Sequence, residues 1–198
     1  DSEINSSFSD DGSNIRNSNV QITNTIFKNN KFDALDLDFC NGQIFKNTFI
    51  SKGQKSNLGG DGIDLSGSNV IISDNIVKNF NDKGMSIGEK SKAIINQNYF
   101  EKNDIAVAIK DGSKVYIFKN EYKNNDLEFS MYIKKYAFKE PNIYLNSNEY
   151  QKNNKFNKLK ENESEYHYLK DGKIFFIKIS EEEKFYQKFK NEITTSRI

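Results

Sequence analysis

The residues best suited to chemistry in this 198-residue chain lie in two short segments, Leu35-Asp36-Leu37-Asp38 and Ile63-Asp64-Leu65-Ser66. In an extended strand successive side chains point to opposite faces, so each segment puts its two aliphatic residues on one side and its two oxygen-bearing residues on the other. Asp36, Asp38, Asp64 and Ser66, with Asp61 close by, then offer oxygen ligands on one surface. That is the donor type calcium takes, usually about six to eight at a time. Two stacked carboxylates repel, so Asp36 beside Asp64 calls for compensation by a divalent ion at Asp36, Asp38, Asp61 and Asp64, or by a shared proton. A solvated polar face would need neither. Farther along the chain Lys110 is the best-placed candidate general base, with Lys83 and Tyr132 as neighbours, and Asp64 is the second candidate catalytic residue. An enzyme that removes a proton beside a carboxylate needs a base of this kind together with a cation that neutralises the carboxylate. A lysine serves as base only if burial or a cationic neighbour lowers its pKa. The candidate ligand surface is Asp36, Asp38, Asp64, Ser66, Lys83, Lys110 and Tyr132.

The elements that would place these residues follow from an internal repeat. The pattern apolar-x-x-Asn-x-apolar occurs at Ile44-Asn47-Phe49, Ile72-Asn75-Val77, Ile95-Asn98-Phe100, Ile117-Asn120-Tyr122 and Leu145-Asn148-Tyr150, with a variant at Ile22-Thr25-Phe27. From Thr25 onward the fourth positions are separated by 22, 28, 23, 22 and 28 residues, as expected for a solenoid of three short strands per turn. A second pattern alternates with the first: Leu35-Asp36-Leu37, Ile63-Asp64-Leu65, Met85-Ser86-Ile87, Val107-Ala108-Ile109 and Phe129-Ser130-Met131. The flanking residues belong to the core and the middle residue to the outside. Successive parallel strands lie about 4.8 Å apart, so aligned residues become ladders. One outward ladder reads Asp36, Asp64, Ser86, Ala108, Ser130, and the next reads Asp38, Ser66, Gly88, Lys110, Tyr132. The Asn47, Asn75, Asn98, Asn120 and Asn148 row is expected to bond its amides to one another and to the turn backbone. Asp33, Asp61, Asp82, Asp104 and Asp126 recur near one bend and read as turn chemistry.

Composition narrows the function classes. Lys+Arg 29 against Asp+Glu 28 leaves a net charge of +1, which provides no long-range field for nucleic acid or anionic membrane. The only arginines are Arg16 and Arg197, the only cysteine is Cys40 and the only histidine is His167. Intramolecular disulfides, Cys/His metal sites and Cys/His catalytic pairs are therefore not expected. No apolar run reaches the roughly 20 residues of a membrane span.

The phrases GDGIDLSGS (60–68), DKGMSIGEKS (82–91), AIKDGS (108–113) and YIKK (132–135) resemble the right-handed parallel β-helix repeats of secreted bacterial proteins, in particular the β-helix region found beside spore-coat-kinase-like (CotH) domains. The resemblance covers about residues 18–156. More distantly the chain resembles pectate lyases, polygalacturonases and alginate epimerases, whose substrates lie across the outer face of one sheet. It lacks the Gly-His-Gly and Arg-x-Lys pairs of the polygalacturonases and the Asp-Pro-His of the epimerases. The resemblance implies an extracellular, periplasmic or cell-surface setting, with further domains covalently attached.

The expected architecture is all-β: a single-stranded right-handed parallel β-helix of about six rungs over residues 1–156, then a C-terminal cap over 157–198. Residues 1–17 are expected to hold at most part of a rung, with Ile15 in the core. Lys173–Ser180 reads as a strand, and Glu181–Ile193 as an amphipathic helix with Phe185, Phe189 and Ile193 on one face. Together they are expected to block the open end of the solenoid. Extra residues within Ser51–Gly60 predict a loop beside the acidic strands. Three functions fit this surface: polysaccharide binding, lyase or epimerase chemistry with a divalent ion such as calcium and a lysine base, and a purely structural spacer.

Overall fold

The computed structural model describes residues 1–8, 10–53, 59–146 and 172–195, and over them the chain coils through three parallel sheets. Sheet 1 contains β1 (Ser2–Asn5), β4 (Thr25–Lys28), β7 (Thr48–Ile50), β10 (Ile76–Lys78), β13 (Tyr99–Glu101) and β16 (Glu121–Lys123). Sheet 2 contains β2 (Asn14–Arg16), β5 (Leu35–Asp38), β8 (Ile63–Ser66), β11 (Lys83–Gly88), β14 (Ile105–Lys110) and β17 (Leu127–Tyr132). Sheet 3 contains β3 (Asn19–Thr23), β6 (Asn41–Phe45), β9 (Asn69–Ser73), β12 (Lys92–Asn96), β15 (Lys114–Phe118), β18 (Asn142–Asn146) and β19 (Lys173–Ile177). From β1 to β18 every third strand is a neighbour, the pattern of a one-chain solenoid, and β19 then adds directly to β18. The first rung is complete: β1, β2 and β3 all pair with the next turn, where sequence alone predicted only part of one.

Corners come from single residues in the left-handed region. Asn24, Lys46, Asp74, Gln97 and Lys119 have φ of 52, 56, 57, 57 and 58°. Each stands immediately before the ladder position Thr25, Asn47, Asn75, Asn98 or Asn120. Asparagine and aspartate tolerate this conformation, and lysine and glutamine accept a cost there. The ladder supplies the compensation. Asn75 Nδ2 donates to Ile44 O, Ser73 O and Asn98 Oδ1, and Asn98 Nδ2 repeats the pattern one rung on with Ile72 O, Asn96 O and Asn120 Oδ1. Asn148 lies outside the described residues.

Two further internal ladders had no counterpart in the sequence reading. Ser68 and Ser91 accept backbone amides of Cys40 and Ser68 at the corner between sheets 2 and 3. Asn103 and Asn125 do the same for Phe80 and Asn103 after sheet 1. Inside, like residues stack: Phe27 on Phe49 with centroids 4.7 Å apart, Phe100 on Tyr122 at 5.3 Å.

The C-terminal elements do not sit as expected. Strand β19 does extend sheet 3 by pairing with β18. Helix α1 (Glu182–Thr195), however, lies along the outer face of sheet 3 instead of across the open end. It buries Phe189 and Ile193 against Ile71, Ile94, Tyr116 and Phe118. The cause is an apolar outward column, Ile71, Ile94, Tyr116, Tyr144 and Phe175, in register up the sheet. A 14-residue helix is about 21 Å long, close to the roughly 19 Å of the four rung steps from β18 to β6. Glu182 anchors its start, accepting from Asn146 Nδ2 at 3.3 Å and pairing with Lys119 at 3.6 Å. The expected boundary at 156/157 and His167 fall outside the described residues.

Candidate functional site

Sheet 2 presents three outward columns. The first begins in the bend before the strands. Asp33 N donates to Asp11 Oδ1 at 3.0 Å, Asp61 N to Asp33 Oδ1 at 2.6 Å and Lys83 N to Asp61 Oδ1 at 3.1 Å. This is the asparagine-ladder logic carried out by carboxylates. It splits the five turn aspartates: Asp33 and Asp61 belong to it, while Asp82, Asp104 and Asp126 stand one place earlier, because Lys83, Ile105 and Leu127 hold the in-register position. Asp33 is pushed up to about 7 by burial and then by the charge of Asp61. Asp61 is pushed up to about 6 by burial, which the Lys83 ammonium at 3.3 Å only partly offsets. Burial acts to lower Lys83, but Asp61 and Asp82 outweigh it and hold the ammonium above its ordinary range.

The second and third columns have the expected register. Asn14, Asp36, Asp64, Ser86, Ala108 and Ser130 form one. Arg16, Asp38, Ser66, Gly88, Lys110 and Tyr132 form the other. Asn14 and Arg16 were absent from the predicted surface, although the register of β2 adds them to it. Asn14 Nδ2 donates to Asp36 Oδ2, and Arg16 Nε lies 2.8 Å from Asp38 Oδ2. Lys110 reaches across Gly88, where a methyl group would stand 3.3 Å from its Cε, and brings Nζ to 3.9 Å from Asp64 Oδ1.

Each acid thus has its own compensation within the chain. Asp38 has Arg16, Asp61 has Lys83 and Asp64 has Lys110. Asp36 is raised to about 7 by burial and by Asp38, Asp64 and Asp11, so near neutrality it is partly protonated. Among the described residues no three acids, cysteines or histidines are grouped as a metal ion requires. The calcium set Asp36, Asp38, Asp61 and Asp64 is spread over three columns, and Asp38, Asp61 and Asp64 have separate cationic partners.

Burial divides the face. Asn14 and Arg16 are exposed, and Asp36, Asp38, Asp64 and Ser66 are partly so. Ser86, Ala108 and Ser130 have 0% exposure, while Lys110 and Tyr132 keep only 7% and 6%. Lys110 and Tyr132 were expected on an open surface and are not there, because alternation sets a side chain's direction but not what covers it. Lys83 is likewise mostly buried. Both lysines sit against carboxylates, so the candidate base Lys110 has the opposite neighbour from the one base chemistry needs. The loop expected within Ser51–Gly60 is described only at Ser51–Gly53 and Gly59–Gly60.

With this geometry in hand, residues 1–174 match the family model described as "Right handed beta helix region". The chain belongs to that family. No curated protein and no solved structure matches it. The right-handed β-helix therefore carries on sheet 2 an open acidic half and a closed half in which the expected lysine and tyrosine are buried.

Proposed function

We propose that this β-helix is a non-catalytic glycan-binding module that holds a neutral, hydroxyl-rich polysaccharide against the open acidic half of sheet 2. The observation that carries the reading is the pair of accessible ladders Asn14-Asp36-Asp64 and Arg16-Asp38-Ser66, side by side on one rigid sheet. Asp64 Oδ1 is buried 3.9 Å from Lys110 Nζ, while the Asp64 side chain as a whole keeps 23% of its surface exposed. Ionised carboxylates accept from sugar hydroxyls, and Asp36, partly protonated near neutrality, both accepts and donates. Both nearby lysines are ion-paired to aspartates, which disfavours the lysine-base chemistry of a lyase or epimerase at this face. The resemblance to secreted bacterial β-helices supports a cell-surface or extracellular setting within a longer, multidomain protein.

Titration calorimetry against neutral glucan, mannan and galactan oligosaccharides tests the reading. Binding to at least one of them, weakened about tenfold or more by Asp64→Ala, is expected. Failure of every neutral glycan to bind, with the protein folded, would leave the spacer role. Release of unsaturated, ultraviolet-absorbing products from an acidic polysaccharide would restore the lyase.

A further inference from the structure

Around the corner from sheet 2, the turns that lead into sheet 3 carry a second, oppositely charged feature. Lys92 and Lys114 are register neighbours, in one row with Asn69, Asn142 and Lys173. Like charges directly opposite one another across adjacent strands repel, and an anion set between them would relieve that repulsion. Lys90, Lys92, Lys114 and Lys139, with Gly112 and Ala137, line a shallow cavity of about 300 Å³. An adjoining hollow of about 470 Å³ adds Lys173 and Asn142, with Glu140 as its one carboxylate. Several lysines elsewhere are answered: Lys78, Lys83, Lys110, Lys119, Lys123 and Lys135 each have a carboxylate within 4.0 Å. Among the described residues Lys90, Lys114, Lys139 and Lys173 have none.

The cavity wall is built, not draped. The long turn between Tyr132 and Ile143 is pinned by Asp111, which is 1% exposed and accepts the amides of Lys134 at 2.7 Å and Lys135 at 2.9 Å. Lys135 also pairs with Glu89, two rungs earlier. Gly112, at φ +74°, lets the backbone of Lys139 close over it; a side chain there would begin 3.4 Å from Lys139 O. Lys90 stands 5.6 Å from the Phe138 ring centroid. A buried carboxylate thus fixes the turn so that its lysine faces those of the two rungs below.

We infer that this lysine-lined cleft binds an acidic polysaccharide through its carboxylate, sulfate or phosphate groups. Ammonium groups in register at about the 4.8 Å rung spacing suit a polymer that repeats its anionic groups along a chain. They are point charges without the planar fork of arginine, and no arginine lines the cleft among the described residues. With a net charge of only +1, the molecule has no wide field to gather a nucleic acid, so the attraction is confined to the cleft. The inference concerns other side chains than the sheet 2 proposal and does not depend on it.

The test is calorimetry of the full chain at low ionic strength with oligogalacturonate, dextran sulfate, polyphosphate, uncharged dextran and a short DNA duplex. One or more of the three non-nucleic polyanions should bind, and which of them do names the anionic group. Lys92→Gln combined with Lys114→Gln should weaken that binding by about tenfold or more. Asp64→Ala should leave it unchanged. The inference is overturned if none of the three binds, if the double variant binds as tightly as the parent, or if the duplex binds more tightly than all of them.

Discussion

Replacing Asn98 by alanine should cost more than almost any other polar substitution in this protein. The side chain is 1% exposed. Its Nδ2 donates to Ile72 O at 3.0 Å, Asn96 O at 3.0 Å and Asn120 Oδ1 at 3.0 Å. Its Oδ1 accepts from Asn75 N at 3.0 Å and Asn75 Nδ2 at 2.9 Å. Alanine removes all five bonds. The Asn75 amide is left buried with no acceptor, a penalty of about 1–3 kcal/mol, and the other four bonds contribute about 0.5–1.5 kcal/mol each, less what relaxation or an entering water recovers. The net loss should be about 5 kcal/mol, a large share of the 5–15 kcal/mol typical of a whole domain. Thr25 occupies the same column at the N-terminal end, where Oγ1 makes one bond, to Thr23 O at 3.1 Å. Thr25→Ala should therefore cost under about 1 kcal/mol. Urea unfolding of the parent and the two variants, followed by circular dichroism with m-values compared, measures both numbers. A loss below about 2 kcal/mol for Asn98→Ala, or equal losses at the two positions, would refute the reasoning that the ladder offsets the cost of the corners.

The buried acids of sheet 2 make stability depend on pH. Asp33, at about 7 when folded against 3.8 ordinarily, binds protons more tightly in the folded chain; its contribution is complete below about pH 4 and is lost as pH rises through 7. Melting temperatures should accordingly be higher at pH 5 than at pH 8, and Asp33→Asn, which keeps an acceptor for the Asp61 amide, should raise stability at pH 8 and flatten the profile. An unchanged profile in that variant would contradict the assignment. Lys83→Met should leave Asp61 buried without its ammonium and destabilise by about 3–5 kcal/mol at pH 8, less at pH 5 where Asp61 takes a proton, read by the same melts. Phe189→Ala should cost about 3–5 kcal/mol of helix docking and speed hydrogen exchange in Glu182–Thr195 while the rungs keep their protection.

Much of this molecule is legible because a solenoid repeats its contacts. The Asn47 to Asn120 row and the outward columns from Asp36 to Tyr132 follow from aligning one rung on the next, and each occurs in the predicted register. What alignment does not convey is contact with anything outside the rung. The helix was expected over the solenoid end, yet the signal for its true position lies in sheet 3: Gln21 and Gln43 face outward in the first two rungs, then Ile71, Ile94 and Tyr116 replace them. Strands apolar on both faces are strands buried on both faces. The burial of Lys110 and Tyr132 carried no such signal, since alternation is blind to coverage. The five turn aspartates recur near one bend as the spacing suggests, but Asp82, Asp104 and Asp126 stand one place off the register of Asp33 and Asp61, a difference spacing alone does not display.

The most direct measurement of the central claim is an amide chemical-shift map of the isotope-labelled chain during titration with a neutral oligosaccharide from the glucan, mannan and galactan panel. The account predicts shifts clustered at Asn14, Arg16, Asp36, Asp38, Asp64 and Ser66, with Lys92 and Lys114 unmoved. Shifts confined to sheet 1 or sheet 3, or no shifts with any neutral glycan, would contradict it.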